Sequence, residues 1–229
     1  MFLLLLLIAL APGLFLLWYF SHRDKYEPEP RRYLIKIYLL GAVMVVPALI
    51  IEVLLDPIFT THNVILSALL VSFLLVAPVE EILKFFVVKM WIYNDIEFDE
   101  VMDGIVYGVS ASLGFATVEN IGYVFKYGIG SGIFRAFLSV PGHAFFGALM
   151  GYYLGRAKFE KKSEIRLIST GILLAILAHG FYDFFLLTKT VLAFLVIVII
   201  ITLGFITRNN LKKAELQSKE RKDKNSLIS

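Results

Sequence analysis

Glu80 and Glu81 stand side by side in a long apolar stretch, Asn63-VILSALLVSFLLVAPVEEILKFFVVKMWIY-Asn94. A carboxylate at the centre of a bilayer costs about 2.5–3.5 kcal/mol on insertion scales, so an adjacent pair marks a site. Lys84 follows Glu80 by four residues and shares its helix face, while Glu81 is rotated by about 100°. Two further apolar stretches carry His143, in Pro141-Gly-His-Ala-Phe, and His179, in Ala178-His-Gly-Phe-Tyr-Asp183. Asp183 lies four residues after His179, on the same helical face, where it can share a metal with the imidazole or orient it. These groups have the makings of peptide-bond hydrolysis. One route gives a divalent metal, zinc fitting the donor types, to His143, His179 and Asp183, with one position open for water. The other needs no metal: Glu80, the candidate base, and His143 polarise the water, while His179 and Asp183 support the oxyanion. The residues leave both routes open. No HExxH, G-x-S-x-G or GxGD pattern is present.

The elements that must position these residues are membrane spans. Of the 229 residues, 59% are hydrophobic and 18% charged, and mean hydropathy is +0.78. Lipid requires each span to satisfy its own backbone, and the runs are too continuous for barrel strands. The expected fold is all-α, a polytopic transmembrane bundle of about seven helices, near residues 2–20, 33–55, 64–93, 104–125, 133–155, 165–187 and 190–207. The fourth run is the weakest, diluted by Gly, Ser and Thr. The first ends in Trp18-Tyr19-Phe20 and reads as a retained anchor with an aromatic belt. The domain expectation is one membrane domain over residues 1–207 and a basic cytoplasmic tail over 208–229, frayed helix or disordered. With no cysteine, thiolate chemistry and disulfides are excluded.

Basic residues set the expected orientation. Arg23, Lys25, Arg31 and Arg32 follow the first run, and Arg156, Lys158, Lys161, Lys162 and Arg166 follow the fifth. The tail is similarly basic, whereas the alternate loops hold Lys126, Arg135 and Lys189. A multi-pass protein of the cell membrane follows, with its N-terminus outside and its C-terminus cytoplasmic. One partner is the lipid bilayer; no nucleic acid is expected.

Other polar residues qualify the picture. Asp95, Glu97, Asp99, Glu100 and Asp103 read as a solvated loop with carboxylates favouring a helix N-terminus, Asp103 being the one that could also reach the site. Glu119 and Asn120 read as an interfacial pair or as a lining above the site. Glu52 and His62 read as interfacial. Gly104-xxx-Gly108 and Gly147-xxx-Gly151-xxx-Gly155 predict close packing of the fourth and fifth runs.

The chain resembles the PrsW family of intramembrane proteases from early in the first run to about residue 187. The matching motifs are Ala11-Pro-Gly, Glu80-Glu-Ile-Leu-Lys84, Phe98-Asp-Glu-Val-Met-Asp-Gly-Ile-Val-Tyr-Gly108, Gly114-Phe-Ala-Thr-Val-Glu-Asn120, Gly142-His143, Gly151-Tyr-Tyr-Leu-Gly-Arg-Ala157 and His179-Gly-Phe-Tyr-Asp183. The resemblance implies a membrane peptidase that makes the first, site-1 cut in a membrane-anchored anti-sigma factor. A more remote likeness to CAAX prenyl endopeptidases and bacteriocin-immunity-type proteases places Glu80, Glu81, His143 and His179 as catalytic. Asp183, Lys84, Asp103, Glu119 and Asn120 are the expected supporting residues. Ser139 stands where that wider group often has Phe, and Lys84 where it has Arg at longer spacing. The competing classes are an ion-coupled transporter and a non-enzymatic scaffold or immunity protein. Intramembrane Glu, His and Lys also mark ion paths, but no inverted repeat is visible.

Overall fold

A computed structural model describes residues 2–160 and 163–226. Lys161 and Lys162, two of the residues used to orient the chain, lie outside the described residues, as does the tail beyond Ser226. The described chain is helical throughout its ordered elements: α1 (Phe2–Ser21), α2 (Arg31–Val43), α3 (Val45–Phe59), α4 (Val64–Leu70), a π-helical segment (Val71–Val76), α5 (Ala77–Trp91), α6 (Val101–Tyr127), α7 (Ile129–Phe137), α8 (Ser139–Phe159), α9 (Glu164–Leu187), a short 3₁₀ turn (Val191–Phe194) and α10 (Leu195–Ser226). They make seven spans long and apolar enough to cross a membrane.

Three spans are interrupted one turn before a proline, for one reason. Proline has no N–H to give the carbonyl four residues back. Pro47 leaves the Val43 carbonyl without its helical donor, and α2 gives way to α3 at Met44. Pro141 does the same to Phe137, and α7 gives way to α8 at Leu138. Pro78 does the same to Leu74, inside the wider π-helical turn, where the Ala77 N–H reaches back to the Ser72 carbonyl. Such π turns recur at functional sites. Here two of the three interruptions stand immediately before Glu80 and His143.

α6, the weakest run by composition, is the central helix, with every residue from Val101 to Thr117 buried. A helix enclosed by protein needs small residues for close approach more than it needs lipophilicity. Gly104 and Gly108 face Gly147, Gly151 and Gly155 of α8, so closely that a Cβ on any of them would meet the opposing helix, mostly at its backbone. This is the seam predicted by the spacing. A second seam sets Gly41 of α2 against Ala111, and Gly114 against Tyr38.

α10 continues well past its apolar part. Leu203, Thr207, Leu211, Ala214 and Ser218 are buried at spacings of three and four, a stripe that keeps the polar half docked. Glu215 pairs with Arg23 at 2.9 Å and with Lys25 at 3.2 Å, and Arg221 makes a two-pronged contact with Asp99.

Candidate active site

The segment after the π turn delivers Glu80, Glu81 and Lys84 into the bundle, where all three are buried. The Lys84 ammonium lies 2.9 Å from Glu80 Oε2, 2.8 Å from Glu81 Oε1 and 3.0 Å from His143 Nδ1. It also sits 4.4 Å from the centre of the Phe115 ring, a cation–π contact. An ammonium can only donate, so His143 Nδ1 accepts and Nε2 carries the hydrogen. That Nε2 faces Glu119 Oε2 at 3.0 Å. Glu119 is held in turn by Arg135 Nη2 at 3.0 Å, and Arg135 Nε donates to Asn120 Oδ1. Asn120 anchors the assembly to α1 by donating to the Ala9 carbonyl.

α9 supplies the other half. His179 Nδ1 is 2.9 Å from Glu81 Oε1, and its Nε2 is 3.3 Å from Asp183 Oδ2. The His179 ring stacks on Phe146, which fixes its plane. Beside it, the hydroxyls of Ser139 and Tyr182 share a hydrogen bond of 2.7 Å.

Each imidazole therefore turns Nδ1 toward Lys84 or Glu81 and Nε2 toward a carboxylate that lines the cavity, and a carboxylate on one ring nitrogen is what orients a metal-binding histidine. Glu80, Glu81, His143 and His179 each offer a ligand atom within 4.8 Å of the others'. Glu81 Oε2 is buried and has no hydrogen-bond partner. Two imidazoles and two carboxylates suit a divalent metal. Asp183, expected as a ligand, lies on the far side of the His179 ring, and Glu81 joins the converging set instead.

A cavity of about 420 Å³ opens onto this group. Glu80, Glu119, His143, His179 and Asp183 line it, together with Glu52, Arg135 and Tyr182. Glu81 and Lys84 do not; they stand behind Glu80 with no exposure. The two adjacent glutamates thus meet different surroundings, as their rotation on the helix predicts.

Two expectations need correction. Asp103 does not reach the site. It lies 16 residues before Glu119 on the same helix, about 24 Å along the axis, and caps the N-terminus of α6 by accepting from the Asp99 and Glu100 N–H groups. The acidic run before α6 is not simply solvated, because Glu100 and Asp103 are buried. Glu52 and Arg135, expected at the interface and in a loop, also line the cavity. Glu52 reads as interfacial when its helix is ended near residue 55, but α3 runs to Phe59 and draws it two turns inward. By the rule that singles out Glu80, a carboxylate there was already a candidate. Arg135 reads as a loop charge, and its signal is that basic residues are scarce on that side.

Comparison with known proteins identifies the family. The family described as "PrsW family intramembrane metalloprotease" matches residues 29–206. Protease PrsW of Geobacillus kaustophilus is 41% identical over 181 residues, 79% of each chain. Protease PrsW of Bacillus subtilis is 41% identical over 179 residues, 78% of this chain and 80% of the relative. That of Clostridioides difficile is 35% identical over 223 residues, 94% of this chain and 93% of the relative. No solved structure matches the chain. A family match over residues 29–206 and relatives 35–41% identical, for a seven-span chain that encloses two glutamates and two histidines, leave one conclusion: this protein belongs to the PrsW family of intramembrane metalloproteases and is a membrane peptidase.

Proposed function

We propose that the chain makes the first, site-1 cut in a membrane-anchored anti-sigma factor, with Glu80 activating the water. The observation that carries the role of Glu80 is its place: of the adjacent pair, it alone lines the cavity. Glu81, His143 and His179 are the residues that would hold the metal. Bound there, the ion, for which zinc fits the donors, would polarise the scissile carbonyl and lower the pKa of the water. Glu80 takes the proton from the water and returns it to the leaving amine. Glu119 and Asp183 fix the two imidazoles, and Arg135 fixes Glu119. Lys84 offsets the charge of the glutamate pair.

The cavity supports a cut on the outer side. Its lining runs from Glu80 and His143 to Tyr123, Ser131 and Leu187, at the end of the bundle away from the basic loops. With those loops in the cytoplasm, water and substrate enter from outside, which is where a site-1 cut is made. The substrate reading rests on the family resemblance. Reconstituting the purified protein in liposomes with a candidate anti-sigma factor, and sequencing the products, tests it. The expected cut lies in or beside the substrate's span, in its outer half. A cut in the inner half would overturn the orientation, and an intact anti-sigma factor beside a cleaved generic membrane peptide would overturn the substrate.

A further inference from the structure

A second group of acidic side chains is gathered at the opposite end of α6. Asp24 comes from the α1–α2 connection, Glu100 precedes α6, and Asp103 lies in its first turn. Each offers a carboxylate oxygen within 4.8 Å of the other two. They are 3%, 3% and 1% exposed, so water does not neutralise them. One oxygen of Asp24 accepts from the Glu29 N–H, and one of Asp103 accepts from Asp99 and Glu100. Glu100 caps α6 at the Asp103 N–H and lies beside the Ser218 hydroxyl, and Asp103 also meets the Glu29 carboxyl, but Asp24 Oδ1 is buried without a hydrogen-bond partner.

Nearby cations are committed elsewhere. Arg221 pairs with Asp99 and Glu27, Arg23 and Lys25 with Glu215, and Lys158 donates to the Asp95 carbonyl. Among the described residues, no ion pair reaches Asp24, Glu100 or Asp103. Buried carboxylates in such a cluster either hold protons or coordinate a cation, since an uncompensated charge costs several kcal/mol. Burial, followed by the neighbouring Glu100 and Asp103, pushes the Asp24 carboxyl up to about 8. A proton shared within the group neutralises one carboxylate and leaves the charge of the others in place.

We infer that Asp24, Glu100 and Asp103 form a binding site for a hard divalent cation, distinct from the active-site group. The donors are all oxygen, which selects calcium, magnesium or manganese over zinc. Three carboxylates and two charges leave a residual charge of −1, beside an α6 N-terminus that favours it. The ion ties the α1–α2 connection to α6 under the docked half of α10, whose Ser218 is buried there and whose Arg221 grips Asp99. It thus fastens the end of the bundle remote from the cavity.

The test uses the full chain, purified in detergent and stripped with a chelator. Calcium, magnesium and manganese are each titrated back, with bound ion and thermal midpoint both recorded. Asp24→Asn keeps the side-chain shape and an acceptor for the Glu29 N–H while removing one charge, and Glu100→Gln is the second variant. Wild type is expected to bind one more equivalent of a hard cation than either variant, with at least a tenfold gap in affinity. That ion should raise the wild-type midpoint and leave those of the variants unmoved. The arms distinguish calcium from magnesium. Equal binding in all three proteins, or a wild type that takes up none of the three ions at this end, overturns the site and assigns the cluster to shared protons. If neither variant can be recovered, a wild-type midpoint unchanged by every ion also overturns it.

Discussion

At the scale of single residues, the site is a problem of charge placement that Lys84 solves. Two adjacent glutamates are buried, and one ammonium touches both. Breaking a buried ion pair by removing one partner costs about 3–5 kcal/mol, because the other is left uncompensated. Lys84→Met is therefore expected to lower the thermal midpoint sharply in chelator-treated protein. A divalent ion at the same carboxylates offsets the same charge, so adding zinc should recover much of the loss. Equal midpoints for wild type and variant after chelation would show that Lys84 does not carry this role. The carboxylate pair, both histidines and Asp183 were legible in sequence because each is costly in lipid. Glu119 was legible only as a choice between the interface and the site. What selects the site is Arg135 on α7, which meets Glu119 only after the chain turns at Gly128, where φ is +82°.

At the scale of elements, prolines and glycines do the positioning. Pro78 and Pro141 each open a helix one turn before a site residue, and the glycine seam brings α6 and α8 into backbone contact. Gly151→Ala would drive a Cβ into the Gly104 carbonyl. Overpacking of this kind costs about 1–3 kcal/mol. Gly122 lies on the same central helix with nothing within 4 Å of a built Cβ, so Gly122→Ala should be neutral or stabilising by up to about 1 kcal/mol. Unfolding of both variants in detergent checks the contrast, and equal effects would count against the seam. The spans and this seam could be read from composition and spacing. The central position of α6 could not, since low hydropathy in a span reads as weakness until its neighbours are known. The docked half of α10 was hidden for a related reason: its buried stripe includes Thr207 and Ser218, which do not register as apolar.

At the scale of the whole molecule, the two ends of the bundle differ. One carries the cavity, and the other carries the basic loops, the acidic cluster and the docked tail. The orientation we propose puts the cavity end outside. The sequence has no cysteine, so a single introduced thiol gives a label without background. Tyr127→Cys, at an exposed position on the cavity end, should react with an impermeant reagent in intact cells. Lys222→Cys, exposed on the docked tail, should react only after permeabilisation. The reverse pattern would invert the molecule and place the cut on the cytoplasmic side. The acidic cluster was the least legible feature of all. Asp24 sits between Arg23 and Lys25, in a segment whose charges read as a topology signal. Only the fold brings it to Glu100 and Asp103, some eighty residues away in sequence.

Activation of the water by Glu80 is tested by measuring cleavage with Glu80→Gln protein in liposomes. Glutamine preserves the shape and removes the base, and correct insertion can be checked on the same sample. The rate of cleavage is expected to fall by about 10²–10⁴-fold while the protein stays folded and in the membrane. Cleavage at the wild-type rate by well-inserted Glu80→Gln protein would contradict it.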